Sequence, residues 1–348
     1  MRSWSGMATC WGGGLLFSFL FIWVVCSVFG NSITPPVWDE DLQIYVRKSG
    51  TTVHWRSEGW ADIPVGPMGL DVNDAVLLES GVPCFALWGD SHVDALQVPS
   101  DERAVGLFNS GGPPVKVIAV GGGGLNVADY YFRIPRLQRK YPNIVGNVIL
   151  LSGMADVIPG KTLECHSRFL PGPWRFEESL CAPTRLALKY APLLSEMRLG
   201  FLQSLYSKLK NHDFRFVWGP ETAVARPAVV SDDESFSYEE AWNYLLTALK
   251  REGRGRLAFI YIPPTPQPAG NVVRIQDPEA PLVKRFGVAC AANGIDFVDL
   301  SRNFQDLYLK QGLFPRGFFN TAPGRGHLNV LGHRLVAKGV QELLKGSR

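Results

Sequence analysis

The sequence predicts an α/β fold, a parallel five-stranded sheet covered by helices on both faces, and three observations predict it. Five short, nearly all-apolar runs recur along the chain, helical stretches lie between them, and each run gives way to a Gly, Ser or Pro. The runs are 82–88 (VPCFALW), 115–120 (VKVIAV), 147–152 (NVILLS), 257–262 (LAFIYI) and 295–300 (IDFVDL). Continuous rather than alternating apolar character marks strands buried on both faces, as in parallel sheets. Helices are expected over 127–138, 183–211, 238–251, 281–293 and 330–344, and this alternation implies crossover connections above and below the sheet. Sites in such sheets form at the carboxyl ends of the strands.

About eighty residues separate the third strand from the helix at 238, far more than a crossover needs. We read an insertion at about 157–235, holding a long helix and an apolar run at 214–218 that suits an extra strand. Residues 31–80 carry Pro35-Pro36, several aromatics and few periodic runs, and read as a leader packed on the main domain, which spans 81–348.

Of 348 residues, 46% are hydrophobic and 19% charged, which sustains a sizeable core and excludes wholesale disorder. A net charge of +3 with no basic stripe argues against a nucleic-acid partner. The N-terminus departs from this average composition. After Met1-Arg2 an uncharged stretch culminates in the apolar run 15–29 (LLFSFLFIWVVCSVF), followed by Asp39, Glu40 and Asp41. This charge asymmetry leaves the N-terminus in the cytoplasm. Residues 1–30 therefore read as a signal peptide or a membrane anchor, with a buried core helix as the third alternative. The first two place the domain outside the cytoplasm, periplasmic or extracellular, with a membrane tether through 15–29 if the segment is kept.

Export would put the cysteines in a disulfide-permissive compartment. Cys165 and Cys181 flank a Pro/Gly loop and are the best candidates for a bridge; Cys84 and Cys290 suit free buried thiols. No spacing of Cys or His suggests zinc, and no metal or other cofactor is expected.

The chemistry concentrates in two places. Trp88-Gly89-Asp90-Ser91-His92 follows the first strand directly, so Ser91 sits at a strand-to-helix turn where its hydroxyl is presented and its own N–H can face an oxyanion, with Asp90 supporting the elbow. A Ser hydroxyl needs an imidazole base. His327, in the Gly-rich loop Gly324-Arg325-Gly326-His327-Leu328-Asn329 before the last helix, is returned by a parallel sheet to the same edge. His92 is the ambiguous histidine, and His333 reads as packing or capping.

These motifs and their order resemble the SGNH (GDSL-like) hydrolase superfamily, closest to bacterial members with Gly-Asp-Ser-His at the nucleophile and His-Leu-Asn or His-Leu-Ser at the base, including domains attached to polysaccharide O-acyltransferases. The resemblance runs from about residue 82 to the C-terminus. It implies a flavodoxin-like three-layer α/β/α sandwich, Ser91 as nucleophile, His327 as base, and an oxyanion hole shared by the Ser91 N–H and a Gly after the second strand. Gly124 is the preferred donor and Gly123 the alternative.

Two positions depart from the family pattern. The third block, Gly-x-Asn-Asp, is here Gly153-Met154-Ala155-Asp156, so the Asn donor is Ala155, and Asn126 or Ser152 is a candidate replacement. The acid expected three residues before the histidine is Gly324. A Ser–His dyad with the Gly324 carbonyl orienting the imidazole is therefore expected, with Asp156 structural. The implied activity is hydrolysis or transfer of an ester acyl group, short-chain and borne by an extracytoplasmic carbohydrate or another small ester. A catalytically degenerate glycan-binding module of the cell envelope is the alternative.

Overall fold

The computed structural model describes residues 4–32, 34–160, 166–179, 185, 188–190 and 237–345. Most of the expected helix over 183–211, the run at 214–218 and the Cys165–Cys181 pair lie outside the described residues. The N-terminal apolar stretch forms helix α1 (Trp4–Phe29), of which Gly6–Val25 is long and apolar enough to cross a membrane.

The leader is more ordered than its sequence suggests. It forms two antiparallel hairpins, β1 (Pro36–Asp39) with β2 (Ile44–Arg47) and β3 (Thr52–Trp55) with β4 (Ala61–Pro64), and then helix α2 (Val72–Glu79). Asp71 caps α2 by accepting from the Asn73 N–H. The four-residue strands were missed because so few residues show no readable period.

From Cys84 onward the chain alternates as expected. Strand β5 (Cys84–Gly89) leads into the single-turn helix α3 (Ser91–Asp94) and helix α4 (Ala104–Ser110). Strand β6 (Lys116–Gly121) is followed by α5 (Val127–Lys140), and β7 (Ile144–Leu151) by a 3₁₀ turn over Met154–Val157 and the hairpin β8 (Arg168–Leu170) and β9 (Arg175–Glu177). Helix α6 (Tyr238–Glu252), strand β10 (Arg256–Tyr261), the small hairpin β11 (Gln267–Ala269) and β12 (Val272–Arg274), and helix α7 (Ala280–Ala292) come next. Strand β13 (Asp296–Asp299) and helices α8 (Ser301–Gln311) and α9 (Val330–Lys345) complete the described chain.

The central sheet has the order β13-β10-β7-β5-β6 with every pairing parallel. This is the flavodoxin-like order, which switches direction at β5, and a crevice opens beyond the strand ends there. Each face carries its own apolar cluster. Trp88, Tyr130, Trp242, Phe259 and Phe286 pack under α5, α6 and α7 on one side, joined by Leu42, Met68 and Leu78 of the leader. Leu87, Val105, Ile260, Phe304 and Val340 pack under α4, α8 and α9 on the other. Trp242 is fully buried, and truncating such a side chain to Ala costs about 3–5 kcal/mol. Cys84 and Cys290 are buried free thiols, pushed up by burial to about 11 and about 12.

Candidate active site

The β5–α3 turn builds the Ser91 end. The β5 backbone ends at Gly89, and Asp90 caps α3, its Oδ1 accepting from the His92 N–H at 2.8 Å. The Asp90 Oδ2 accepts from the Ser152 hydroxyl at 2.7 Å, which ties the turn to the end of β7. Ser91 is the first residue of the turn of helix, so its N–H has no intrahelical acceptor. Asp94, at the other end of α3, is held by a bidentate pair with the Arg47 guanidinium from β2.

His327 arrives at the same edge. Its Nε2 lies 2.9 Å from Ser91 Oγ, across 236 positions of sequence. The loop that carries it is pinned at both ends: the Gly317 N–H donates to the His327 carbonyl at 3.0 Å, and the Asn329 amide donates to the carbonyls of Phe314 and Gly317.

The orienting group differs from the expectation. His327 Nδ1 lies 2.5 Å from Glu58 Oε2, and the His327 N–H donates to Glu58 Oε1 at 2.7 Å. One carboxylate thus grips both the ring and the backbone of the histidine. Gly324, the expected orienter, instead turns the loop: its N–H donates to the Arg316 carbonyl, and a Cβ there would fall 2.6 Å from Phe314 and 2.7 Å from Pro268. With a carboxylate at Nδ1, the ring proton sits there and the Nε2 lone pair faces the Ser91 hydroxyl. Gly326 makes this approach possible, since a Cβ there would fall 2.2 Å from Glu58 Oε1.

Glu58 comes from the tip of the β3–β4 hairpin and is clasped from two sides. Asn31, just beyond α1, accepts the N–H groups of Arg56 at 2.6 Å and Ser57 at 3.2 Å. Asn320, from the histidine loop, accepts the Gly59 N–H at 2.8 Å and donates to the carbonyls of Arg56 and Gly59. Sequence reasoning missed Glu58 because it looked for an acid beside the histidine. The only local signal was a turn, Ser57-Glu58-Gly59, between two short extended segments, and nothing in it points to a residue 269 positions away.

The electrostatics favour an ionised Glu58. Burial alone raises its pKa, but the two hydrogen bonds with His327 and the nearby Arg316 charge outweigh it, and the carboxyl falls below its ordinary value. Its side chain is 15% exposed against 28% for His327, so the carboxylate is sheltered while the imidazole stays reachable.

Arg316 is a second residue the sequence did not mark. Its guanidinium is buried, donating to the carbonyls of Gly326 at 3.2 Å and Pro263 at 3.0 Å, with Nη1 2.9 Å from His92 Nε2. Burial pulls its pKa down to about 10, leaving it charged at neutral pH. The Leu328 N–H donates to His92 Nδ1 at 3.3 Å. Burial, with the Arg316 charge beside it, holds His92 well below its ordinary pKa. The His92 ring lies 5.2 Å from the His327 ring, tilted by 55°, and its nitrogens face Arg316 and Leu328 rather than Ser91. His333 is buried within α9, pushed down to about 3 by burial.

The donors for an oxyanion can be sorted by which amides are already committed. In the loop after β6, the Gly122 N–H donates to the Gly89 carbonyl, the Leu125 N–H to Gly122, and the Asn126 N–H to Asp129. The N–H groups of Gly123 and Gly124 have no acceptor among the described residues, and neither does that of Ser91. Asn126 does not serve as a donor: its Oδ1 caps α5 through Ala128 and Asp129, and its Nδ2 donates to the Ser167 carbonyl. Ser152 is likewise committed to Asp90. Ala155 is exposed, so no side chain fills the Asn position. Beside it, burial and the Asp90 charge push Asp156 up to about 8. Among the described residues no cluster of three or more His, Cys, Asp or Glu is placed to hold a metal.

No protein-family model matches the chain, and no curated protein matches it. Solved structures similar to it include a member of the lipolytic protein G-D-S-L family from Veillonella parvula DSM 2008, 13% identical with a TM-score of 0.38, covering 75% of this chain and 97% of that one. A catalytic mutant of an acetylxylan esterase from Geobacillus stearothermophilus is 14% identical, TM-score 0.37, over 75% of this chain and 93% of that chain. A phospholipase A1 from Streptomyces albidoflavus NA297 is 9% identical, TM-score 0.38, over 77% and 100%.

Proposed function

We propose that this protein is a serine ester hydrolase or acyltransferase of the SGNH type, working through Ser91, His327 and Glu58. The observation that carries the reading is the continuous relay from Ser91 Oγ to His327 Nε2 at 2.9 Å and from His327 Nδ1 to Glu58 at 2.5 Å. In this reading Ser91 Oγ attacks the acyl carbonyl as its proton passes to Nε2, and the imidazolium forms against the Glu58 carboxylate. The N–H groups of Ser91, Gly123 and Gly124 receive the negative charge on the carbonyl oxygen. The bond to the alkoxy group breaks as Nε2 returns the proton to the departing alcohol. Water, deprotonated by the same nitrogen, then cleaves the acyl-serine in an esterase cycle, and a sugar hydroxyl does so in a transferase cycle.

Export is supported by α1, and retention of α1 would tether the domain to a membrane surface. An O-acylated extracytoplasmic carbohydrate as substrate is supported by the resemblance of the Gly-Asp-Ser-His and His-Leu-Asn motifs. Ala155, which removes one oxyanion donor, is what favours the competing reading of a glycan-binding module without turnover; the Glu58 relay argues against it.

The test is hydrolysis of p-nitrophenyl esters and acetylated oligosaccharides by the full-length protein, beside Ser91→Ala. The expected result is turnover that vanishes in the variant, together with fluorophosphonate labelling of Ser91. Absence of both would favour the binding module.

A further inference from the structure

A cleft of about 360 Å³ lies between the leader and the sheet, outside every role assigned so far. Its size is at the lower end of the ~300–1,000 Å³ typical of small-ligand sites. The Trp38 and Tyr45 rings of the β1–β2 hairpin, with Leu70 and Leu125, supply apolar wall, and the backbone of Gly121–Gly123 forms another part. Ser91 and His327 do not line it, so the cleft neighbours the reacting groups without containing them.

The polar side chains of the lining divide into committed and uncommitted. Arg47 forks onto the Asp94 carboxylate, and His166 Nδ1 lies 3.0 Å from Asp129. Arg133 of α5 also lines the cleft, and its guanidinium has no hydrogen-bond or ion-pair partner among the described residues. The nearby acids are engaged by others. Asp129 accepts from the Asn126 and Ser167 N–H groups besides facing His166, and Glu178 holds Arg136 through both oxygens. Burial pulls the Arg133 pKa below the ordinary guanidinium value, against the Asp129 charge, yet a guanidinium stays protonated at neutral pH. The Thr34 and Tyr45 hydroxyls, in the same lining, likewise have no hydrogen-bond partner among the described residues.

A sheltered cation without an acceptor is costly, and the planar fork of a guanidinium matches the edge of a carboxylate or phosphate. We propose that this cleft binds a compact organic anion, its carboxylate or phosphate group seated on the Arg133 guanidinium. The Thr34 and Tyr45 hydroxyls are available to its remaining polar atoms, and its carbon skeleton lies against Trp38, Leu70 and Leu125. A neutral molecule of the same shape leaves the guanidinium unpaired, so the site selects by charge. The proposal stands apart from the hydrolase reading, because no group of the Ser91–His327–Glu58 relay takes part.

Isothermal titration calorimetry of the full-length protein in a non-ionic detergent tests this, with D-glucuronate, D-glucose 6-phosphate and D-glucose as probes. The three share a sugar ring and differ in charge. At least one of the two anions is expected to bind tenfold or more tightly than glucose, as a charge-assisted bidentate contact allows. Which anion binds better tells whether carboxylate or phosphate is the group the cleft takes. Arg133→Gln is expected to cut the preference at least tenfold, and Arg133→Lys, which keeps the charge but not the fork, to retain part of it. Tyr45→Phe, on the opposite wall, should weaken the preferred anion about fivefold. Arg139→Gln, which removes an exposed charge of the same helix, and Ser91→Ala are expected to leave the preference unchanged. An affinity ratio read within one preparation is insensitive to partial loss of folded protein.

Equal affinity for glucose and both anions overturns the proposal, as does an absence of heat from either anion at about 20 mM. A preference that survives Arg133→Gln, or that Ser91→Ala abolishes, overturns it as well.

Discussion

The two ends of the candidate relay are held in different ways. Ser91 stands on a turn determined locally, by the end of β5 at Gly89 and the Asp90 cap, over a strand buried throughout. Glu58 stands on a hairpin tip outside the sheet, held by Asn31 on one side and Asn320 on the other. Ser91 belongs to the sheet; the carboxylate belongs to the leader. The histidine is therefore oriented by a segment outside the sheet, and perturbing the hairpin tip alone can misplace the carboxylate while the leader residues in the core stay packed.

The sharpest way to break the comparison is at Glu58 itself. Glu58→Gln keeps the shape but removes the charge that stabilises the imidazolium, and kcat is expected to fall about 10³–10⁴-fold, with a modest loss of thermal stability at neutral pH. A loss under tenfold would return the orienting role to the backbone. The pH dependence follows from the same group. Because its pKa is lowered in the folded state, Glu58 stabilises the fold above its unfolded value, and that contribution is lost only as pH falls through the lower folded value. The wild type should therefore keep its relay charged through the neutral and mildly acidic range.

On the opposite side of the site, Ala155→Asn restores a donor where the motif resemblance places one, and kcat is expected to rise tenfold or more, since removing one such donor typically costs about 10²–10³. Unchanged kcat would mean that the three free amides already suffice.

Asn320→Ala loosens the Glu58 clasp without touching Ser91 or His327. A fall in kcat of about tenfold is expected, with KM nearly constant, consistent with a 1 Å misplacement costing up to about 10²-fold. Asn320→Asp keeps the acceptor for the Gly59 N–H and should recover part of the loss.

A separate effect is expected on stability, at Asp156. Burial and Asp90 hold it protonated in the fold up to about 8, while in the unfolded chain it ionises near the ordinary carboxylate value. Unfolding then releases a proton, so stability falls as pH rises from about 4 to about 8. Asp156→Asn should flatten that slope in denaturant melts, and it should leave the stability below pH about 4 unchanged.

How much was legible follows from the range of each interaction. The five strands of the sheet could be read because a strand buried on both faces is written as a continuous apolar run, such as 147–152 or 257–262. Helix α5 was legible from its amphipathic run over 127–138, but the capping box of Asn126 and Asp129, which makes Asn126 unavailable as an oxyanion donor, emerged only in the structure. The leader hairpins were illegible because four-residue strands carry no period, and helices α2, α4 and α8 are short or lie between stronger signals.

By itself the sequence determined the sheet, the turn that presents Ser91, and the loop that returns His327, because each depends on local pattern or on the chirality of parallel crossovers. Only the tertiary structure decided what orients the histidine, which amides are free, and what closes the cleft beside Gly123. Those depend on contacts such as Glu58 with His327, Ser152 with Asp90, and Arg47 with Asp94, between segments far apart in the chain. Such pairs are brought together by burying the leader against the core, and neither partner's local sequence records the other.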